Sequence, residues 1–499
     1  MSTYYDCVVV GSGHAGCSAA LAAMEAGCTS VLIVEKAPRE WVGGNGYFTA
    51  GAHRTVHGGL QDLLPIVHNV TPEQAIKIDM DPYTVEDFTK DIMRLGKDKP
   101  DAKLVKTMVE SSREAVEWLA RKVEIPFILS FHRQAYEVNG RQKFWGGMAL
   151  STEDGGKGLI SAHMKALEKA GVEIWFDSPA IKLTVEKGIT GKELNLSASS
   201  VVLAAGGYES SSELRAKHLG SEWEKAHVRG TPFNTGDGLA IAQAIGAKLV
   251  GDWAGCHSTC WDANAPADAG DRELSNQFTK SGYPLGIMVN INGQQITTYA
   301  KFGRQILLQP EGCAFQVWGA DMVPLLRKEE YGDGIVEKIF AGSIEELADK
   351  LLEKGLKDKE GFLKTVRNYN AAVQNHRAEH PTLGWDPTVK DGLSTQSTTA
   401  SLQLPKSNWA VPIDQGPFLA VKVACGITFT FGGLAIDPDT AGVLSKETGA
   451  PIKGLFCTGE MVGGLFHNNY PGGSGLTAGA VFGRKAGREA AKLAGKLAK

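Results

Sequence analysis

The sequence predicts an α/β chain, a Rossmann-like core interrupted by an inserted segment of mixed α+β character. Three observations carry this. The chain opens on a strand, a glycine turn, a helix, a second strand and an acid, in that order. A second apolar run at residues 201–208 (VVLAAGGY) ends on paired glycines. The C-terminal stretch then returns to glycine-rich loops after a long middle of different composition.

The opening occupies residues 6–36. A short apolar run, Cys7–Val10, meets Gly11-Ser12-Gly13-His14-Ala15-Gly16, and an Ala-rich helix leads to the run Val31–Val34 and Glu35. Gly11 suits the tight turn, Gly13 lets backbone approach a pyrophosphate, and Gly16 lets the helix lie close on the sheet. The unsatisfied N–H groups at the start of that helix face the phosphates. Glu35 follows Gly11 by 24 residues, near the spacing of a carboxylate that holds a ribose hydroxyl and repels a 2′-phosphate. Dinucleotide binding is therefore expected.

Next comes a glycine-dense loop, residues 42–51 (VGGNGYFTAG), able to lay backbone along a flat ring. Spacings of three and four predict helices over 84–96, 101–121 and 158–170. Residues 172–176 read as a strand, and 201–208 as a buried parallel strand whose Gly206 and Gly207 can touch a ligand at the sheet's C-terminal edge. A TGDG turn opens a helix over 239–245, with Asp237 favouring its N-terminus. Prolines, short mixed segments and charged helices (344–356 and 361–377) mark residues 256–415 as an insertion. The tail carries LFCTGE and YPGGSGL, the latter opening a small-residue helix to Lys485.

Composition bounds the partners. The 499 residues are 43% hydrophobic and 22% charged, with net charge −4. There is no basic stripe for nucleic acid and no stretch near the roughly 20 apolar residues of a membrane span. The first strand begins almost at once, leaving no room for a leader, and eight scattered cysteines read as reduced thiols, so a cytosolic location is expected. Cys256 and Cys260 flank His257, but no further ligand sits at a matched spacing, and no metal is expected.

Taken together, VVVGSGHAGCSAA, Glu35, GGNGYFTAG, VVLAAGGY, TGDG and CTGEMVGG…YPGGSGLTAGAVFGRKAG resemble the fumarate reductase/succinate dehydrogenase flavoprotein superfamily over nearly the full length. The segment TTYAKFGRQILLQP and the YPGGSG ending are most similar to tricarballylate dehydrogenases, with 3-ketosteroid Δ1-dehydrogenases next. The resemblance implies a glutathione-reductase-type FAD-binding domain over residues 1–255 and 416–499, with a capping domain over 256–415. It also implies non-covalent FAD and hydride transfer between a substrate carbon and flavin N5. Gly11, Gly13 and Gly16, with His14 and Ala15 between them, would face the pyrophosphate, and Glu35, beside Lys36, the adenosine ribose. Gly43, Gly44 and Asn45 would run beside the isoalloxazine. Ala205, Gly206 and Gly207 would lie by the adenosine half, with Asp237 close by, and Glu460 would hold the ribityl chain. Gly475 and Leu476 would sit at the pyrimidine edge, where a helix dipole favours the charge of reduced flavin.

Such chemistry needs a group binding the substrate's carboxylate or carbonyl and a proton carrier on the opposite face. By its place in the motif order His257 is the candidate for the first role. Tyr299 falls near the proton-donating arginine of the fumarate reductases, and its phenol must be depressed from about 10 to act as a base. Tyr470, His467 and Asn468 are candidates to hold a substrate oxygen, and Arg304 and Lys301 to attract a polycarboxylate. This chain also departs from the pattern: GIMVNINGQQI runs straight into TTYAKFG, as if roughly a dozen residues, with the Arg-Phe pair and acidic cluster that usually intervene, were missing. The expected activity is oxidation of a small polycarboxylate such as tricarballylate. The alternatives are an enone-forming or fumarate-reductase-like substrate, or a flavin-binding module without catalysis. With no haem-attachment CxxCH or iron–sulfur run, electrons would leave to a separate acceptor.

Overall fold

The computed structural model describes residues 4–184, 196–296, 302–386, 389 and 391–495. Its chain divides into two units. The first comprises Met1–Ser221, Gly230–His257 and Thr428–Lys499, the second Glu222–Arg229 and Ser258–Ile427. The sequence places the borders at 255/256 and 415/416. The strands Leu249–Asp262 and Phe418–Leu434 run unbroken through the observed borders, so no change of local pattern marks them.

The first unit is built on a six-stranded sheet. Its order is Glu173–Trp175, Val31–Val34, Cys7–Val10, Val201–Leu203, Pro451–Cys457 and Gly442–Leu444. The first four pairings are parallel and the last antiparallel. Cys7–Val10 and Val31–Val34 are buried throughout, as strands covered on both faces must be. The helix His14–Glu25 follows the first strand, and the C-terminal helix Ser474–Leu493 lies against it. The closeness of that pair is a matter of size. A Cβ on Gly479 would stand 3.2 Å from the Ala15 Cβ, one on Gly483 2.8 Å from Ala15 O, and one on Gly487 2.3 Å from Ala19 O. Glycines every fourth residue on one helix thus meet alanines on the other. The sequence places the end of this helix at Lys485; it continues to Leu493, and packing against the first helix rewards the glycines' lack of a side chain.

Two further helices cover this unit, Val85–Leu95 and Ala102–Trp118, the second passing into a π turn at Leu119–Val123. Thr84 and Asp87 form a capping box at the first, and Asp101 accepts from Lys103 N and Leu104 N at the second. The expected helix over 158–170 begins earlier, as Gly155–Ala170, and the strand over 172–176 is Glu173–Trp175. The strand expected over 201–208 leaves the sheet after Leu203, and Gly206 turns with φ of +74°.

The second unit has its own sheet, in which Phe418–Leu434 pairs with Ala314–Trp318 and Ile339–Ala341, and Ala314–Trp318 with Ile287–Asn290. Helices Ile344–Glu353 and Lys359–Glu379 bury Leu347, Leu351, Phe362, Val366 and Val373 in one core with Phe315 and Val317. Ahead of the shortened segment, Ile287–Asn290 turns back on itself. Asn290 N donates to Gln294 O and Ile296 N to Met288 O, and Ile296 enters the core. The junction itself, from Thr297 to Lys301, lies outside the described residues.

Candidate functional site

The glycine turn separates two kinds of requirement. A Cβ on Gly11, whose φ is +106°, would sit 2.5 Å from Ala204 O, and one on Gly16 would sit 2.1 Å from Gly11 O. Those two glycines are demanded by the protein itself. A Cβ on Gly13 would meet only Gly43 O, at 3.7 Å. Among the described residues nothing forbids a side chain there, so Gly13 is not demanded by the protein's own packing. The helix begins at Gly13 with no side-chain cap and no acid in its first turn, leaving its N–H groups for an outside anion. The C-terminal helix begins the same way at Gly473. Two uncapped helix starts in one unit fit a long, doubly anionic cofactor such as FAD.

Glu35 is buried at the end of its strand. Its Oε2 accepts from Ser12 N (2.8 Å) and Ser12 Oγ (2.6 Å), and its Oε1 from Ala37 N (2.8 Å). Lys36 Nζ donates to Thr235 Oγ1 and pairs with Asp237, both at 2.6 Å. Asp237 is thus an ion-pair partner, and Gly236 is the cap residue of its helix, which runs Asp237–Ala244. His14 turns away from the glycine turn. Its Nε2 lies 3.0 Å from the Leu476 carbonyl, which can only accept, so the proton is on Nε2. Nδ1 is then bare and accepts from His163 Nε2 at 2.8 Å. Burial holds His14 down to about 4 and His163 well below its usual value, so the pair is neutral. His53 packs at 5.7 Å from the His14 ring, and burial holds it down to about 3.

A second polar cluster gathers the loop expected beside the isoalloxazine. Asn45 Nδ2 donates to Glu209 Oε1 and to Thr428 O (2.8 Å), while its Oδ1 accepts from Thr231 N (2.9 Å). Asn234 Nδ2 also donates to Glu209 Oε1, at 2.6 Å. Glu460 Oε1 accepts from Thr430 N (2.7 Å) and Thr430 Oγ1 (2.9 Å), and its carboxyl meets that of Glu209. A Cβ on Gly207 would strike Glu460 Oε1 at 2.1 Å, and one on Gly206 would strike Asn234. Ala205 N donates weakly to Met461 Sδ at 3.2 Å.

The ground beside Gly475 is aromatic. A Cβ there would lie 3.8 Å from both Phe429 and Tyr470. Phe429 stacks on Tyr470 (5.5 Å, 26°), Phe466 and Phe431 close on both, and His257 meets Tyr470 edge-on at 4.9 Å. Arg54 braces the same loop: its Nε donates to Gly472 O (2.9 Å) and its carbonyl accepts from Thr477 Oγ1 (2.7 Å).

Of the residues singled out by sequence, Gly11, Gly13, Gly16, Glu35, Gly43, Asn45, Glu460, Gly475 and Leu476 lie in this one unit, with His257 and Tyr470 in ring contact. Asn468 is held by structure, its N on Asp252 Oδ2 (2.7 Å) and its Nδ2 on Leu95 O (3.1 Å). His467 is half-buried, and burial lowers its imidazole below the usual value. Arg304 belongs to the second unit, 3.9 Å from Glu222 and over the Trp223 ring. Tyr299 and Lys301 lie outside the described residues. Cys256 and Cys260 are in no disulfide, and among the described residues no group of three or more His, Cys, Asp or Glu is placed to hold a metal. No helix of the described residues is long and apolar enough to cross a membrane. Sequence reasoning missed Glu209, Asn234, His53, His163 and Phe429. Only Glu209 carried a signal, standing just past the paired glycines.

Comparison with known proteins adds to this geometry. The family described as FAD binding domain matches residues 69–476, and that described as FAD dependent oxidoreductase matches residues 6–115. The probable fumarate reductase Ifc3 of Shewanella frigidimarina (strain NCIMB 400) is 30% identical, over 98% of this chain and 75% of its own length. The 4-oxocyclohex-2-ene-1-carboxylate 5-dehydrogenase of Sinomonas cyclohexanicum is 28% identical, over 68% of this chain and 60% of its own length. Among solved structures, the open conformation of a flavocytochrome c3 fumarate reductase superposes with a TM-score of 0.71 at 27% identity, covering 99% of this chain and 79% of that one.

Proposed function

This chain belongs to the FAD binding domain family and is an FAD-dependent oxidoreductase of CH–CH and C=C bonds; from that premise we propose that its substrate is a cyclic ketone or the corresponding enone, held by Tyr470 against an aromatic wall. The observation that carries this reading is the cluster of Phe429, Phe431, Phe466, Tyr470 and His257 beside Gly475. Rings of this kind take up apolar carbon through contact area and offer one phenol as a directional polar group. The similarity to an enzyme named for a cyclic enone carboxylate supports the same class.

In this reading the phenol of Tyr470 donates to the substrate carbonyl and stabilises the enolate-like charge that develops when the α-proton leaves. Phe429, stacked on that phenol, holds its plane, and the surrounding rings exclude water from the reacting carbons. Tyr299 remains the proposed acceptor of the α-proton. Bound FAD supplies the two-electron acceptor for hydride from the β-carbon, and the electrons then pass to a separate acceptor.

Anaerobic titration of the purified holoenzyme tests the proposal. Cyclic ketones are expected to bleach the flavin, and their enones to reoxidise the reduced protein. Tyr470→Phe keeps the ring but removes one donor to the developing oxyanion, and is expected to lower kcat by about 10²-fold. Bleaching by tricarballylate with inert ketones would sink it. That polycarboxylate is the second reading, carried by the similarity of TTYAKFGRQILLQP and YPGGSG. Its three carboxylates need several cations, and Arg304 already lies beside Glu222.

A further inference from the structure

Glu209 and Glu460 present an unresolved count of protons. Glu209 is 0% exposed. Its Oε1 is satisfied twice over, by the amides of Asn45 and Asn234, whereas its Oε2 has no donor at all. Glu460 is half-buried, and its Oε1 is satisfied by Thr430 N and Thr430 Oγ1. The two carboxyl groups meet each other. Two ionised carboxylates can only accept, so facing one another they repel and leave Glu209 Oε2 empty; one proton removes both problems.

We infer that Glu209 and Glu460 hold a single proton between them, and that this shared proton helps set how firmly the protein holds FAD. The proton resides on Glu460 and is donated to Glu209 Oε2, because the two asparagine amides stabilise the ionised form of Glu209. Burial raises both groups, and the charge of Glu209 raises Glu460 further, in keeping with that assignment. With the proton in place the pair carries one negative charge, not two. Asn45, anchored on Glu209, is thereby held at the isoalloxazine position. When the proton is lost, a second charge appears beside the residue assigned to the ribityl chain, in a unit that must also accept a doubly anionic pyrophosphate.

Other titratable and charged groups stand near the pair. Tyr208 lies within electrostatic reach of both, but its hydroxyl donates to Trp253 O (2.8 Å) and burial holds its ionisation above the accessible range. Asp252 and Cys256 act on that same Tyr208. Arg215 Nη1 donates to the backbone carbonyl of Glu209, at 2.6 Å.

Two measurements test the inference, neither of them turnover. Infrared difference spectroscopy of the holoenzyme at neutral pH should show a buried carboxylic-acid carbonyl band that is lost in both Glu209→Gln and Glu460→Gln. FAD dissociation from the holoenzyme, followed by recovery of free-flavin fluorescence, should then be measured from neutral to alkaline pH. Between the pH at which the FAD-free protein loses the shared proton and the higher pH at which the holoenzyme loses it, the native dissociation constant should rise by about tenfold per pH unit. In either glutamine variant an amide replaces the titrating proton, so its dissociation constant should stay flat over the same range, whatever its value at neutral pH. These variants also read out any ionisation of FAD itself. Absence of the band from the native protein overturns the inference, as does an alkaline loss of FAD that both variants reproduce.

Discussion

The two units bury titratable groups by opposite means. In the first, His14, His53 and His163 lie under the C-terminal helix start as neutral imidazoles, and Glu209 sits behind Glu460. In the second, Lys280 and Asp262 are both 0% exposed and stay paired at 3.6 Å, while the amine of Lys406, pushed down to about 7 by burial, donates to Pro284 O (2.7 Å) and Gly286 O (3.0 Å). The contrast follows from what each unit must accommodate. The first leaves two helix starts open to an anionic cofactor: its buried imidazoles add no charge to that field, and the buried carboxylate at the turn, Glu35, is satisfied by Ser12 and Ala37. The second sets its buried ammonium and carboxylate against one another, Lys280 beside Asp262.

The contrast breaks most severely at the ion pair. Lys280→Met strands Asp262 in the core and should cost about 3–5 kcal/mol by chemical denaturation, while Lys280→Met with Asp262→Leu should recover most of it. Equal losses in the single and double variants would show that packing, not charge, is at stake. Next is Gly11→Ala, whose Cβ would strike Ala204 O at 2.5 Å with φ at +106°. A loss of about 3 kcal/mol or more in apoprotein stability is expected, with or without FAD.

Acid sharpens the comparison on the other side. His14 is held down to about 4 and His53 to about 3, so below the unfolded value near 6.5 the unfolded chain takes up protons that the folded chain refuses. Stability is fully present above that value and should fall by about 1.4 kcal/mol per pH unit for each histidine as pH drops toward the folded values. Denaturation at a series of pH values checks this, and His53→Phe should make the fall shallower by one histidine, about 2 kcal/mol at pH 5. The smallest effect separates site from scaffold. Gly13→Ala should leave apoprotein stability within about 0.5 kcal/mol, since its φ of −69° suits alanine. FAD binding should still weaken by about tenfold or more, roughly 1.4 kcal/mol.

Much of this architecture was legible without coordinates. The order from Cys7–Val10 through the glycine turn to Glu35 is local, and turn chemistry with strand length specified it. The division of labour within that turn was not legible, because Gly11, Gly13 and Gly16 look alike in a string. What separates them is the distance of a missing Cβ from Ala204, Gly43 and Gly11 itself. His14 looked like a cofactor contact by position, yet its ring belongs to Leu476 and His163, far along the chain.

The sequence by itself determined the class of fold, the two glycine loops and the kind of cofactor, because these rest on backbone requirements written within a few residues of one another. Only the tertiary structure decided which charges are buried, which proton sits where, and that the ground beside Gly475 is aromatic. Those properties arise where residues remote in sequence, such as Asn45, Glu209, Thr430 and Glu460, are brought within hydrogen-bonding range. Protonation depends on partners and on exclusion of water, and neither has a counterpart in the order of the residues.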